Sequence, residues 1–385
     1  MTASHRKVTW LELFFDLAFV AAVAQVSAPL AAEYTPAGLV RYAFLFLLIW
    51  WAWNGHTNFI TRFDNADDVV QRLLTLTQIF LVAVMAVNAK EPLDSRSSAG
   101  FAAAYAVLRL VLVAQYLRAR RRVASPGLAT AYAAGFGAAA VIWLVSAAAP
   151  PPLRFWLWAV ALAVDLGTPV LTARLIVRVP PHAEHLPERF GLFTIILLGE
   201  SMVAIMKGME SQAGWSAGAA WSAFLGMAVT FLVWWWYFDG AGAAAARTVR
   251  SRNQARNFMI WNFVHFPMYL GIVITGVGIE HVIRIAPDGH LHAAEAWILA
   301  GAVALLMGAL VALEAISDRP RPDHRGAWLT ARFALVVLPL VGAPLGTLLP
   351  PAGLVATIAF LCLVQLACSA ERSRPQLGAS RPLSA

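Results

Sequence analysis

Charge is what this sequence has least of. Asp, Glu, Lys and Arg together make up 13% of its 385 residues, about half of the roughly 25% usual in a soluble domain. Cysteine is nearly absent: Cys362 and Cys368 both lie in the last apolar run. Six residues apart on a helix, they do not meet easily, so neither a disulfide framework nor a cysteine zinc motif follows. The sequence also has no GxGxxG loop, no P-loop, no HExxH helix and no Ser-His-Asp arrangement. Those absences remove the common signatures of soluble enzymes; they leave room for an enzyme embedded in a membrane.

What fills the chain instead is apolar. Hydrophobic residues make up 60% and the mean hydropathy is +0.67. Runs of about 20 apolar residues, each long enough to span a bilayer, recur from end to end. The reading is an all-α polytopic membrane protein with no room for a soluble domain. Spans are expected near 8–30, 38–60, 70–89, 99–117, 128–149 and 153–177, then one starting after Pro187-Glu188-Arg189. Five more follow near 215–238, 258–280, 293–316, 328–348 and 353–370. The basic start (His5, Arg6, Lys7) resembles a signal peptide, but Glu12 and Asp16 break its apolar core, so it is read as a retained span. The last residues, 372–385, are rich in Ser, Arg and Pro and read as a disordered cytoplasmic tail.

Charge tests the count of twelve. With the N-terminus placed in the cytoplasm, alternate loops on the inner side collect 21 Lys and Arg and the outer loops five. A missed span would invert every later loop, so this bias supports both the number and the orientation. It also explains a pI near 10 without nucleic acid as a partner. The partners implied are the lipid bilayer and an unidentified small solute or lipid.

An offset of about 184 residues aligns three features. Asp16 falls on Glu200, Trp50-Trp51-Ala52-Trp53 on Trp234-Trp235-Trp236-Tyr237, and Arg72 on Arg256 with Gln78 on Asn262. Six spans per repeat is an even number, which implies two parallel six-helix repeats, 1–180 and 181–371. Transporters built this way hold their site between the halves near the membrane midplane.

The opening Trp10-Leu11-Glu12-Leu13-Phe14-Phe15-Asp16-Leu17-Ala18-Phe19-Val20 resembles the start of the bacterial low temperature requirement A (LtrA) proteins, whose hallmark is a Glu-Leu-Phe-Phe-Asp-Leu segment. A second block, from His185-Leu186-Pro187-Glu188-Arg189-Phe190-Gly191 to Leu198-Gly199-Glu200-Ser201, is similar to theirs too. The resemblance implies a multi-pass protein of the bacterial inner membrane. It supplies no substrate.

Glu12, Asp16 and Glu200 are the first candidates for a site. A carboxylate at mid-bilayer costs about 2.5 to 3.5 kcal/mol on insertion scales, so such residues are proton carriers, cation ligands or members of permanent ion pairs. Glu12 and Asp16 are four apart and share a helix face. Arg109 and Asp165, in the fourth and sixth spans, read as a structural ion pair, or as a gate. His265, near Asn262 in the ninth span, reads as a proton relay or a hydrogen-bonded core histidine. The two aromatic clusters read as an interfacial belt. Asp64, Asp67 and Asp68 read as a solvated loop; as the alternative they would hold Mg²⁺ against a diphosphate. His182, Glu184, His185 and Glu188 have only loosely metal-like spacing, with Pro187 expected to interrupt any helix, and no metal or other cofactor is expected there.

Three functions fit these residues. The first is a secondary transporter with its carboxylates where the repeats meet. The second is a membrane enzyme acting on a lipid or isoprenoid, and the third a membrane scaffold or stress-related protein whose buried charges only hold helices together. A water-accessible cavity between the halves containing Asp16 and Glu200 would favour the first, a lateral, lipid-open cleft above Asp64–Asp68 the second, and burial of both acids against arginine with no cavity the third.

Overall fold

A computed structural model describes residues 8–63, 68–89, 94–212, 216–241, 249–285, 289–316 and 325–370. Among these the chain is entirely helical, and twelve helices are long and apolar enough to cross a membrane. The first six spans are α1 (Trp10–Ala32), α2 (Pro36–Phe63), α3 (Val69–Asn88), α4 (Ser95–Arg120), α5 (Gly127–Ala148) and α6 (Leu153–Leu171). A single turn, α7 (Ala173–Ile176), follows. The other six are α8 (His185–Glu210), α9 (Ala217–Trp235), α10 (Arg252–Arg284), α11 (Ala293–Ile316), α12 (Arg325–Val341) and α13 (Pro351–Ala370).

Polar caps set where these helices start. At α1 the Thr9 hydroxyl accepts from the Glu12 amide, and the Glu12 carboxylate accepts from the Thr9 amide at 2.7 Å, a reciprocal box that satisfies two orphan donors. Ser251 and Gln254 do the same for α10. Asp68, Asp94 and Ser216 cap α3, α4 and α9. Because these residues lie outside the apolar runs, α10 begins at Arg252 rather than near 258. Pro187 does not interrupt a helix either. It sits in the first turn of α8, where its missing N–H would have no intrahelical partner. That turn draws Arg189 into the span, away from the loop to which its charge was assigned. At the far end of the next span, α9 passes into a π turn at Trp236–Ala241.

The aromatic clusters are not an interfacial belt. Helix α2 continues past Trp50, Trp51 and Trp53, and all three are buried, as are Trp236 and Tyr237. Only Trp234 and Trp235 face outward, and lipid-facing positions such as Leu73, Leu76 and Phe80 on α3 are apolar as expected.

In the first six spans α1 packs on α2 and α3, α3 on α4, α4 on α5 and α5 on α6; in the second six α8 packs on α9 and α10, α10 on α11 and α11 on α12. The two sets meet where α1 and α2 touch α8 and α10. Helix α10 is the most enclosed span, with 78% of its apolar stretch buried. Glycine permits its close approaches. A Cβ at Gly271 would lie 2.9 Å from the Leu306 backbone on α11, and one at Gly276 would lie 2.7 Å from Ser201 on α8.

Candidate functional site

The site is built on one face of α1. Glu12, Asp16, Phe19, Val23 and Ser27 recur every three or four residues, and all five are buried. Three different environments follow one another along this stripe.

Near the N-terminal end lies a cavity of about 530 Å³ between α1, α2 and α3; Glu12, His56, Asp68, Gln71 and Arg72 line it, but most of its surface is apolar and includes the outward-facing Phe14, Leu73 and Leu76. The His56 ring stacks on Phe15 at 3.8 Å between centroids. The cavity falls within the roughly 300–1,000 Å³ range of small-molecule sites.

One turn deeper the stripe closes. Arg189 of α8 reaches across from the second set of spans and donates to Asp16 Oδ1 at 2.5 Å. Trp53 of α2 donates its indole N–H to the same oxygen at 2.7 Å. Arg189 also lies 3.6 Å from Glu12, and His185 donates from Nε2 to Glu12 at 3.2 Å. Asp16, Trp53, His185 and Arg189 have no exposed surface, and aromatic rings of Trp53, Phe190, Phe193 and Tyr269 pack around them. Asp16 therefore meets Arg189 in a place that excludes water, while Glu12, beside His185 and 3.6 Å from Arg189, also lines the cavity.

Beyond this seal a second, smaller cavity of about 140 Å³ lies between α1, α8 and α10. Ser27, Glu200, Lys207, Glu280 and Arg284 line it. Glu280 pairs with Arg284, whereas Glu200 has no ion-pair partner within 4 Å among the described residues. Asp16 and Glu200 thus both lie where the two sets of spans meet, but in separate places. From Glu12 to Ser27 is fifteen residues, about 22 Å along a helix at 1.5 Å per residue.

The other expected residues lie elsewhere. Arg109 Nε donates to Asp165 at 3.1 Å and Nη2 contacts the Tyr105 hydroxyl at 2.6 Å, all buried within the first six spans. Gly55 makes room for that guanidinium: a Cβ there would meet Arg109 Nη1 at 2.8 Å. Asn262 accepts from Asn58 at 3.1 Å, joining α10 to α2. His265 is buried beside them, with Nδ1 at 2.7 Å from the Trp261 carbonyl. A carbonyl can only accept, so Nδ1 carries the proton, and Nε2 accepts from the Tyr237 hydroxyl at 3.0 Å. Asp68 Oδ1 caps α3 while its carboxylate pairs with Arg118 of α4 at 2.7 Å and with Arg122, just past its end, at 2.8 Å. The hydrogen bonds from Arg118 lead in pushing its pKa down to about 2. Asp64 and Asp67 lie outside the described residues, as does the 372–385 tail. Among the described residues no group of three or more His, Cys, Asp and Glu could hold a metal ion.

Several members of the site were not singled out from sequence. Arg189, Ser27, Lys207 and Glu280 are the main ones, and Trp53 reads from sequence only as part of an aromatic cluster; apart from the site, Glu314 pairs with buried Arg332 across α11 and α12. For Arg189 a signal existed: it stands eleven residues before Glu200 with no proline between them.

Twelve apolar spans with buried ion pairs between and within the two sets define the class: a multi-pass helical membrane protein with a charged centre. The family model for "Bacterial low temperature requirement A protein (LtrA)" matches residues 7–367, and the chain belongs to that family. It is also 31% identical over 284 residues to a Rhizobium meliloti (strain 1021) protein described as uncharacterized, covering 71% of this chain and 68% of that one.

Proposed function

We propose that the protein is a secondary transporter of a small solute, made of two parallel six-helix repeats that meet along α1, α8 and α10. One observation carries this reading: two cavities, one lined by Glu12 and the other by Ser27 and Glu200, lie along α1 on either side of the buried Asp16–Arg189 pair. That arrangement is a vestibule, a closed gate and a second vestibule. The recurring neighbours, α1 with α2 and α3 and then α8 with α9 and α10, support the repeat. The arginine-rich loops support an inner-membrane protein with both termini in the cytoplasm. The larger cavity then faces inward and the Glu200 cavity outward.

The carboxylates along this path are the proton carriers the reading needs. Asp16 and Arg189 hold the gate, Glu12 exchanges a proton with the inner vestibule, and Glu200 receives solute or proton in the outer one.

A purely structural role explains Asp16–Arg189 and Arg109–Asp165 equally well, but it leaves the two cavities, and Glu200 with no ion-pair partner among the described residues, without a use. The enzyme alternative would need Asp68 to bind Mg²⁺, yet its oxygens already serve α3 and two arginines.

The test uses the full chain in liposomes with a trapped pH dye and an imposed pH gradient, screened against small polar solutes. Solute-dependent proton flux in the wild type is expected, with Asp16→Asn abolishing it and Glu200→Gln reducing it. Wild-type flux no greater than that of empty liposomes with every solute, and no change in either variant, would overturn the reading.

A further inference from the structure

A third cavity, unrelated to the gate, opens on the outside of the bundle where α6 and α7 face α10. It measures about 500 Å³ and its lining is almost wholly apolar, including Val170, Met259, Ile260, Phe263 and Pro267. Its exceptions are Arg174, Arg252 and Arg256. All three are exposed, and none has a carboxylate within 4 Å among the described residues. Every other lining residue on α10 lies between Arg252 and Pro267, a stretch of about 22 Å, well over half the roughly 30 Å hydrocarbon thickness.

An apolar trough open to lipid, with three unneutralised guanidiniums at one end, has the two chemistries of one molecule. The trough takes an acyl chain. The arginines, each able to present a forked pair of donors, take a phosphodiester. Arg252 also opens α10, where the helix N-terminus adds its own preference for an anion. We propose that this groove is a binding site for one anionic phospholipid, with its phosphate held by Arg174, Arg252 and Arg256 and a chain lying along α10 to Pro267. Arginines that only set topology would need no groove beside them; here they share one with α6, α7 and α10. The lipid would bridge the two sets of spans, since α6 and α7 end the first and α10 belongs to the second.

Native mass spectrometry of the full-length protein, titrated with phosphatidylglycerol or phosphatidylcholine of matched chains, tests this. The wild type is expected to retain one phosphatidylglycerol and to lose phosphatidylcholine readily. Arg252→Gln/Arg256→Gln should weaken phosphatidylglycerol retention roughly tenfold or more, with Arg252→Lys/Arg256→Lys retaining most of it. Met259→Trp, which fills the trough and keeps every charge, should weaken it too. Arg120→Gln/Arg121→Gln, at the same end of the bundle but away from the groove, should not. Unchanged retention in Arg252→Gln/Arg256→Gln would overturn the proposal. So would an equal loss in Arg120→Gln/Arg121→Gln, which would mean surface charge alone, or no preference between the two lipids.

Discussion

Asp16 and Arg189 should be cheaper to remove together than singly. With Asp16→Asn, Arg189 loses its 2.5 Å partner and keeps only Glu12 at 3.6 Å, and breaking a buried pair this way costs up to about 3–5 kcal/mol. Asp16→Leu/Arg189→Met removes both charges of the pair, leaves Glu12 to His185, and fills the space with apolar volume, a change that is often near neutral. Thermal unfolding in detergent should therefore show a large drop for Asp16→Asn, most of it recovered in the double variant. Equal losses in both would mean the pair contributes little. Glu200 should behave in the opposite way. It is only half-buried and has no ion-pair partner among the described residues, so Glu200→Gln is expected to shift stability by about 0.5 kcal/mol or less while reducing solute-dependent flux. Asp16 could be found from sequence because a carboxylate in an apolar run is costly wherever it points. Its partner could not, because Arg189 counts as a loop charge as long as Pro187 is taken to end a helix rather than to begin one.

Helix termini and close approaches decide the behaviour of whole elements. The first turn of α3 rests on Asp68, which caps Val70 and Gln71 and binds Arg118 and Arg122. Its folded pKa of about 2 lies below the ordinary 3.8. Its contribution is thus complete above that ordinary value and is lost as pH falls through the folded one. Hydrogen exchange at the Val70 and Gln71 amides, relative to intrinsic rates, should lose protection between about pH 4 and pH 2. Asp68→Asn should show weaker protection with no such step; an unchanged step would assign the transition to another group. At Gly271 a methyl group would press on the Leu306 backbone. Gly271→Ala is accordingly expected to cost about 1–3 kcal/mol, the usual range for overpacking, measured as a lower unfolding temperature. The apolar lengths located all twelve spans, since bilayer thickness fixes them. Helix ends were less legible, as at α10, because capping residues are polar and fall outside the hydrophobic pattern. The tryptophans of α2 misled for a related reason: a cluster near the end of an apolar run looks interfacial, and only the neighbouring helices reveal that it is core.

At the scale of the molecule, the twelve spans and their charge asymmetry were visible in the chain, and the cavities were not. A cavity belongs to the packing of several helices. Only when α8 and α10 are laid against α1 do Ser27, Glu200 and Glu280 share one space, and only the packing of α2 and α3 on α1 brings Glu12, His56 and Gln71 into another. The transport reading requires those spaces to open on opposite sides of the membrane. In a variant lacking Cys362 and Cys368, one added cysteine reports each of them. Ser27→Cys should react with a membrane-impermeant thiol reagent in right-side-out vesicles and be protected in inverted ones. Gln71→Cys should show the reverse. With the Asp16–Arg189 seal intact, neither position should be reached from the other's side. Asp16→Asn, by loosening the seal, should let reagent from one side reach both. Reaction of both positions from the same face with the seal intact would leave a single pore or a misplaced α1 as the remaining accounts. The two-vestibule arrangement, and the transporter built on it, would then fail together.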